Sequence, residues 1–180
     1  MNDILIVYAT REGQTAKVAA RIAAHLAAAG ARVDTVNARD RTMTRPLDLT
    51  RYDLLVFGAS LHAGGIEREL VDFVNHNTAQ IEAKRRSFFL VLLSAATRDP
   101  ELRRQWLADA REKLSRQLRT RFEHIEMIAG ALTYSKYPLP LRWVMRRISK
   151  QAGGDTDTSR DYEYTDWRQV ERYAAQLLES

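Results

Sequence analysis

Cysteine is absent from this 180-residue chain, which excludes disulfides, thiol redox chemistry and cysteine-ligated metals or clusters. The same absence suits a reducing cytoplasm. No apolar run approaches the ~20 residues of a spanning helix, so the protein is expected not to be integral to a membrane. The opening residues, Met1-Asn2-Asp3-Ile4, carry no basic region and run straight into a strand-like segment, which does not read as a signal peptide. Histidine is scarce: of the four, His25, His76 and His124 lie in helix or strand-edge positions without ligand-like partners. Acidic residues are not clustered either, so no metal site is expected. Repeats, low-complexity tracts and Pro/Gly/Ser linkers are also missing, and residues 1–180 read as one domain.

In bulk composition the chain is ordinary, with 45% apolar and 28% charged residues, as in folded soluble proteins. Its charge is less ordinary. The net value is +5, and between Ser135 and Ala152 there are five basic residues (Lys136, Arg142, Arg146, Arg147, Lys150) and no acid. From Gly153 onward acids outnumber bases. A basic excess permits a nucleic acid, an anionic membrane surface or an acidic small molecule as partner. In the charged stretch from Pro100 to Thr120, arginines interleave with Glu101, Asp109 and Glu112, as on a solvated helix face with paired charges. Nothing resembles a nucleic-acid module, and no nucleic-acid partner is expected.

Periodicity gives an alternating pattern. Asp3–Ala9 is a short, nearly continuous apolar run, as in a strand covered on both faces. Gln14–Ala29 sets Val18, Ile22 and Leu26 four apart beside Ala19 and Ala23, which predicts a helix with one apolar stripe, ended by Gly30. Strands are expected at Ala31–Asn37, Tyr52–Ser60, Ser87–Ser94 and His124–Leu132. Helices are expected at Ile66–Asn75 and from Pro100 to about Thr120. A last helix, capped by Thr165 or Asp166, runs to about Leu178. Such alternation predicts an α/β three-layer sandwich around a five-stranded parallel sheet with right-handed crossovers. The favoured strand order is 2-1-3-4-5, with its ligand site outside the carboxyl ends of the strands. The connection over about 133–164 is too long for an ordinary strand-to-helix turn and reads as a helical insertion before the last helix.

The loop after the first strand reads Thr10-Arg11-Glu12-Gly13-Gln14-Thr15. A phosphate monoester needs converging donors, and a tight turn of backbone amides at a helix N-terminus supplies them, with Thr10 and Thr15 adding hydroxyls. Gly13 permits a conformation that other residues resist. The same hexapeptide also suits a capped turn into a helix. It is no P-loop, lacking Gly-Lys-Ser/Thr, so nucleoside triphosphate chemistry is not expected.

Thr10–Thr15 resembles the phosphate loop of flavodoxins, where Thr-x-Thr-Gly-x-Thr-type sequences are typical. Further segments resemble one branch, the flavodoxin-like, quinone-dependent protoporphyrinogen IX dehydrogenases of bacterial haem synthesis. These are Tyr8–Thr15, Gly58-Ala-Ser60, Ile128–Leu132, Gly153-Gly-Asp-Thr-Asp-Thr158 and Tyr164-Thr-Asp-Trp167, the last two being absent from generic flavodoxins. The resemblance implies a flavodoxin-like fold holding FMN. Thr10, Arg11, Glu12, Gly13, Gln14 and Thr15 would hold its phosphate, and Ser60, Leu61, His62, Ala63 and Gly64, with Ser94, Ala95, Ala96 and Thr97, would border the isoalloxazine. It implies oxidation of protoporphyrinogen IX to protoporphyrin IX, with electrons passed to a membrane quinone by a cytoplasmic protein peripherally attached to the inner face of the cell membrane. The chain departs from the branch at Leu61-His62-Ala63-Gly64-Gly65 and at Ala95-Ala96-Thr97-Arg98, neither of which offers the expected aromatic to the ring.

Two features stay open on the sequence. His62 can hydrogen-bond the flavin or relay a proton, or be a polar loop residue, and no side chain is identified as a general base. Pro138–Lys150 is amphipathic: Leu141, Val144, Met145 and Ile148 share one stripe, Arg142, Arg146 and Lys150 another, and Trp143 lies between. It can pack on the domain, rest on an anionic membrane, or direct Arg142, Arg146 and Arg147 toward substrate carboxylates. Two other functions fit the same fold: a soluble electron carrier without its own substrate, and a binding module that has lost FMN.

Overall fold

In the computed structural model, which describes residues 2–40, 47–62, 64–151 and 155–179, the apolar runs become the sheet. Strands β1 (Asp3–Tyr8), β2 (Arg32–Asn37), β3 (Leu54–Ser60), β4 (Arg85–Leu92) and β5 (Ile125–Ala129) pair in parallel in the order β2-β1-β3-β4-β5. Because successive strand side chains point to opposite faces, each run feeds two cores. Leu5, Val7, Leu55, Phe57, Phe88 and Leu90 pack beneath α2 (Arg68–His76), α3 (Thr78–Glu82) and α4 (Pro100–Gln117). Ile4, Ile6, Leu54, Val56, Phe89 and Val91 pack against α1 (Gln14–Ala28) and α6 (Trp167–Glu179). This is the flavodoxin-like three-layer sandwich expected from the alternation of elements.

The helix ends follow local chemistry. Asp99 caps α4 by accepting from the amides of Glu101 and Leu102 at 2.9 and 3.0 Å, and Pro100 takes the first helical position, where its missing N–H costs no intrahelical bond. Exposed pairs Arg104–Glu101 and Arg116–Glu112 line the solvated side of α4. Of the two candidate caps for the last helix, Asp166 serves, accepting from Arg168 N at 2.9 Å, while the Thr165 hydroxyl donates to Ala129 O at 2.7 Å.

The structure departs from the sequence reading in three places. The helix expected from Ile66 begins at Arg68, and a separate short helix, α3, follows it. The break falls at Asn77, whose side-chain amide donates back to Phe73 O at 2.8 Å. The single strand expected over His124–Leu132 divides at Gly130. Beyond Leu92 the neighbouring β4 turns into a helical turn at Leu93–Ala96, leaving nothing to pair with. Ala131–Leu132 therefore forms β6, which pairs antiparallel with β7 (Tyr162–Glu163). Finally, α5 (Leu139–Gln151) does not bury the whole of its predicted apolar stripe. Met145 packs on a small cluster of Leu132, Tyr134 and Tyr137, and Ser149 is buried, but Val144 is 53% exposed. The side chains of Leu141 and Ile148 lie outside the described residues.

Candidate flavin site

Three loops meet at the carboxyl ends of the strands. The first follows β1. Gly13 holds φ +98° as the residue before α1, the left-handed region that favours glycine, and its amide donates to Thr10 Oγ1 at 3.0 Å. The first turn of α1 presents amides without intrahelical partners toward the loop. Thr15 is fully buried, and its hydroxyl has no hydrogen-bond partner among the described residues. A buried hydroxyl left unpaired is costly, so an acceptor arriving from outside the protein fits here. Gln14 is also buried, and its side-chain amide donates to Thr165 Oγ1 at 2.8 Å. Arg39 donates to Thr10 O at 2.9 Å, adding positive charge from the end of β2.

The second and third loops flank this one. After β3, Leu61 N donates to Val91 O at 3.0 Å, and His62 and Gly65 exchange both backbone hydrogen bonds at 3.0 Å. His62 Nε2 lies 3.1 Å from Ser60 Oγ and 3.3 Å from Glu67 Oε1. Gly64 is exposed, and Ala63 lies outside the described residues. After β4, Ser94, Ala95 and Ala96 form the half-buried helical turn, and Thr97 is buried with its hydroxyl unpartnered. Among the described residues, buried side-chain polar atoms without hydrogen-bond partners belong to Thr15, Glu67, Thr97 and Thr120. All but Thr120 belong to these three loops.

Glu12, in the first loop, is held by the insertion. The Glu12 carboxylate accepts from Thr133 Oγ1 and Tyr137 Oη, each at 2.9 Å, and Lys136 Nζ donates to the Glu12 carbonyl. Burial, with the Glu12 carboxylate adding to it, pushes the Tyr137 phenol up to about 12, so it stays a donor. The rest of the insertion is folded around Asp155, whose carbonyl accepts from Ser149 Oγ at 2.6 Å and Tyr134 Oη at 3.2 Å. Its carboxylate accepts from Tyr164 Oη at 2.9 Å. Arg142 turns inward and donates to Tyr137 O at 2.9 Å, whereas Arg146 and Arg147 remain exposed. Trp143 is 76% exposed and Leu139 72%.

Comparison with known proteins agrees with this geometry. The flavodoxin domain family matches residues 5–159. The protoporphyrinogen IX dehydrogenase [quinone] of Escherichia coli K12 is 32% identical over 173 residues, covering 96% of this chain and 93% of that protein. The chain belongs to the flavodoxin-like protoporphyrinogen IX dehydrogenase family. A Leishmania major protein of the same name is 28% identical, covering 95% of this chain and 72% of its own length. The oxidised flavodoxin 1 of Bacillus cereus superposes with a TM-score of 0.54 at 15% identity, over 98% of this chain and 97% of that one, a likeness of fold alone.

Family membership also gives a structural meaning to Tyr164-Thr-Asp-Trp167. Tyr164 binds Asp155, and Thr165 joins Gln14 of the phosphate loop to Ala129 of β5. Asp166 caps α6, and Trp167 Nε1 donates to Glu163 at 3.0 Å beneath the Arg21 guanidinium. The segment is a joint between the loop and the insertion. Reading the sequence alone missed Glu67, Arg39, Thr133, Lys136 and Tyr137 at the site. All but Glu67 reach it across the fold, which local spacing does not encode; Glu67 lies at the end of the second loop, where the sequence reading placed it inside a helix. Gly153 and Gly154 lie outside the described residues.

Proposed function

We propose that this chain binds FMN and oxidises protoporphyrinogen IX to protoporphyrin IX, passing the electrons to a quinone at an anionic membrane surface. One observation carries the reading: an insertion anchored directly on the phosphate loop, in a chain matched over 96% of its length by a protoporphyrinogen IX dehydrogenase [quinone]. The unpaired Thr15 hydroxyl, the left-handed Gly13 and the open amides of α1 fit a phosphate monoester. Thr10, Arg11, Glu12, Gly13, Gln14 and Thr15 would hold the phosphate. Ser60 to Gly64 and Ser94 to Thr97 would border the ring, where Thr97 Oγ1 has no hydrogen-bond partner among the described residues. FMN supplies the two-electron chemistry, while the protein supplies binding, orientation and electrostatics.

The basic insertion suits both remaining partners. Exposed Leu139, Trp143 and Val144 beside Arg146, Arg147 and Lys150 present apolar surface and cations on one helix, the combination that rests on anionic lipid. The same arginines suit the carboxylates of a porphyrinogen. The deciding assay follows porphyrin fluorescence as FMN-loaded protein meets protoporphyrinogen IX and a quinone without oxygen. Porphyrin forming well above the autoxidation background is expected. No porphyrin, with reduced flavin passing its electrons to a partner protein, would replace this reading with that of an electron carrier.

A further inference from the structure

Among the described residues, Glu67 is a buried carboxylate that no hydrogen bond accounts for. It is 1% exposed, sits immediately before α2, and neither carboxylate oxygen has a hydrogen-bond partner among the described residues. What reaches it is charge. Arg11 Nε stands 3.1 Å from Oε1 and His62 Nε2 stands 3.3 Å from the same oxygen. Burying a carboxylate is expensive unless it is paired, and here the pairing brings a phosphate-loop arginine and a ring-loop histidine onto one oxygen. A little further out, Arg39 and Glu69 face each other at 3.6 Å, and from α4 the neutral Gln117 side chain accepts from Ile66 N at 3.0 Å.

We propose that His62 is the proton acceptor of the dehydrogenation and that Glu67 is its positioning residue. The proposal rests on the function proposed above. The His62 backbone is pinned by its two hydrogen bonds with Gly65, and its Nε2 is turned toward Ser60 Oγ and Glu67. With the ring proton on Nε2, where both neighbours are oxygens, Nδ1 carries the lone pair. Nδ1 has no partner among the described residues, and the side chain is 31% exposed, so a ligand in the site can reach it. When Nδ1 takes a proton, the imidazolium meets the buried Glu67 carboxylate, which stabilises the charge that has just formed.

The chemistry needs such a group. Protoporphyrinogen loses six hydrogens in three two-electron steps, from its four meso C–H positions and two of its four N–H groups. In each step bound FMN would supply the hydride acceptor for a meso C–H hydrogen. The matching proton, from N–H in two steps and from the remaining meso C–H in the third, would go to His62 Nδ1. Reduction of the quinone to quinol consumes the same hydride equivalent and one proton, so His62 returns to its neutral form by giving its proton up. In each step substrate loses two hydrogens and the quinone gains two.

The test uses FMN-loaded protein carrying His62→Ala, His62→Gln or Glu67→Gln, mixed rapidly with protoporphyrinogen without oxygen while flavin reduction is followed. At saturating FMN, His62→Ala and His62→Gln should slow flavin reduction by about a hundredfold or more, and added imidazole should restore rate to His62→Ala. Glu67→Gln should lower kcat with little change in KM. It should also shift the ring-nitrogen NMR spectrum of His62 away from the Nε2–H tautomer, a signature that needs no turnover. An active wild type with an equally fast His62→Ala overturns the proposal alone. An unchanged His62 spectrum in Glu67→Gln overturns the role of Glu67. A wild type that binds FMN but is never reduced by protoporphyrinogen overturns the functional reading itself.

Discussion

At the scale of single residues, the site is governed by conformations and charges that few side chains tolerate. Gly13 at φ +98° is the clearest. A Cβ there would find room, its nearest neighbour being Lys136 Nζ at 3.8 Å, so the cost of Gly13→Ala is backbone strain of about 1–2 kcal/mol. If the loop relieves that strain by leaving its binding conformation, FMN affinity should fall about tenfold, and Gly13→Val should cost more. Fluorescence titration of the apoprotein measures this, and unchanged affinity in both variants would mean that the phosphate sits elsewhere. Gly13 was legible in the sequence because a glycine between a buried strand and an amphipathic helix has a local reason to be there. Glu12 was legible as a loop member but not in its role. Only the fold brings Thr133 and Tyr137 to its carboxylate, from more than a hundred residues away in sequence.

At the scale of elements, the five strands and the helices around them follow from periodicity, because a strand covered on both faces and a helix with one apolar stripe each leave a local pattern. The insertion obeys a different rule, and there the pattern gave the helix but left its packing open. In α5 the apolar positions do not all face the domain: Arg142, Met145 and Ser149 lie inward while Leu139, Trp143 and Val144 face solvent. An amphipathic stripe specifies a helix but not what covers it. The outward face predicts binding to vesicles containing anionic lipid, through partition of Trp143 and attraction of Arg146, Arg147 and Lys150. Co-sedimentation should be strong at low salt and weaker above 0.1 M, where exposed charges are screened within ~10 Å. Trp143→Ala combined with Arg146→Glu should abolish it. Equal binding to neutral and anionic vesicles would remove charge from the attachment, and no binding even at low salt would leave the helix with a structural role only.

At the scale of the whole molecule, stability at high pH is set by buried phenols. Burial holds Tyr52, Tyr137 and Tyr164 up at about 12 against an ordinary value of 10, and it pushes Tyr173, wholly enclosed beside Ser87, higher still. Below pH 10 these groups are protonated whether the chain is folded or not, and they take nothing from its stability. Above pH 10 the unfolded chain releases protons that the folded chain still holds, so stability falls as pH rises toward 12. Phenolate absorbance should therefore appear together with loss of circular dichroism, in one alkaline step. Phenolate absorbance from these tyrosines near pH 10 with the fold intact would contradict the burial described.

The hydrogen bonds from Thr133 and Tyr137 to Glu12 carry a consequence for regulation. They make the phosphate loop and the insertion parts of one cooperative unit, so occupancy at one is thermodynamically linked to order at the other, and linkage is reciprocal. FMN should protect the segment 133–151 from limited proteolysis, and membrane-docked α5 should in turn tighten FMN by the same factor. Tyr137→Phe should weaken both effects together. If α5 docks on a membrane, such a chain would hold its cofactor more tightly there than when adrift from it.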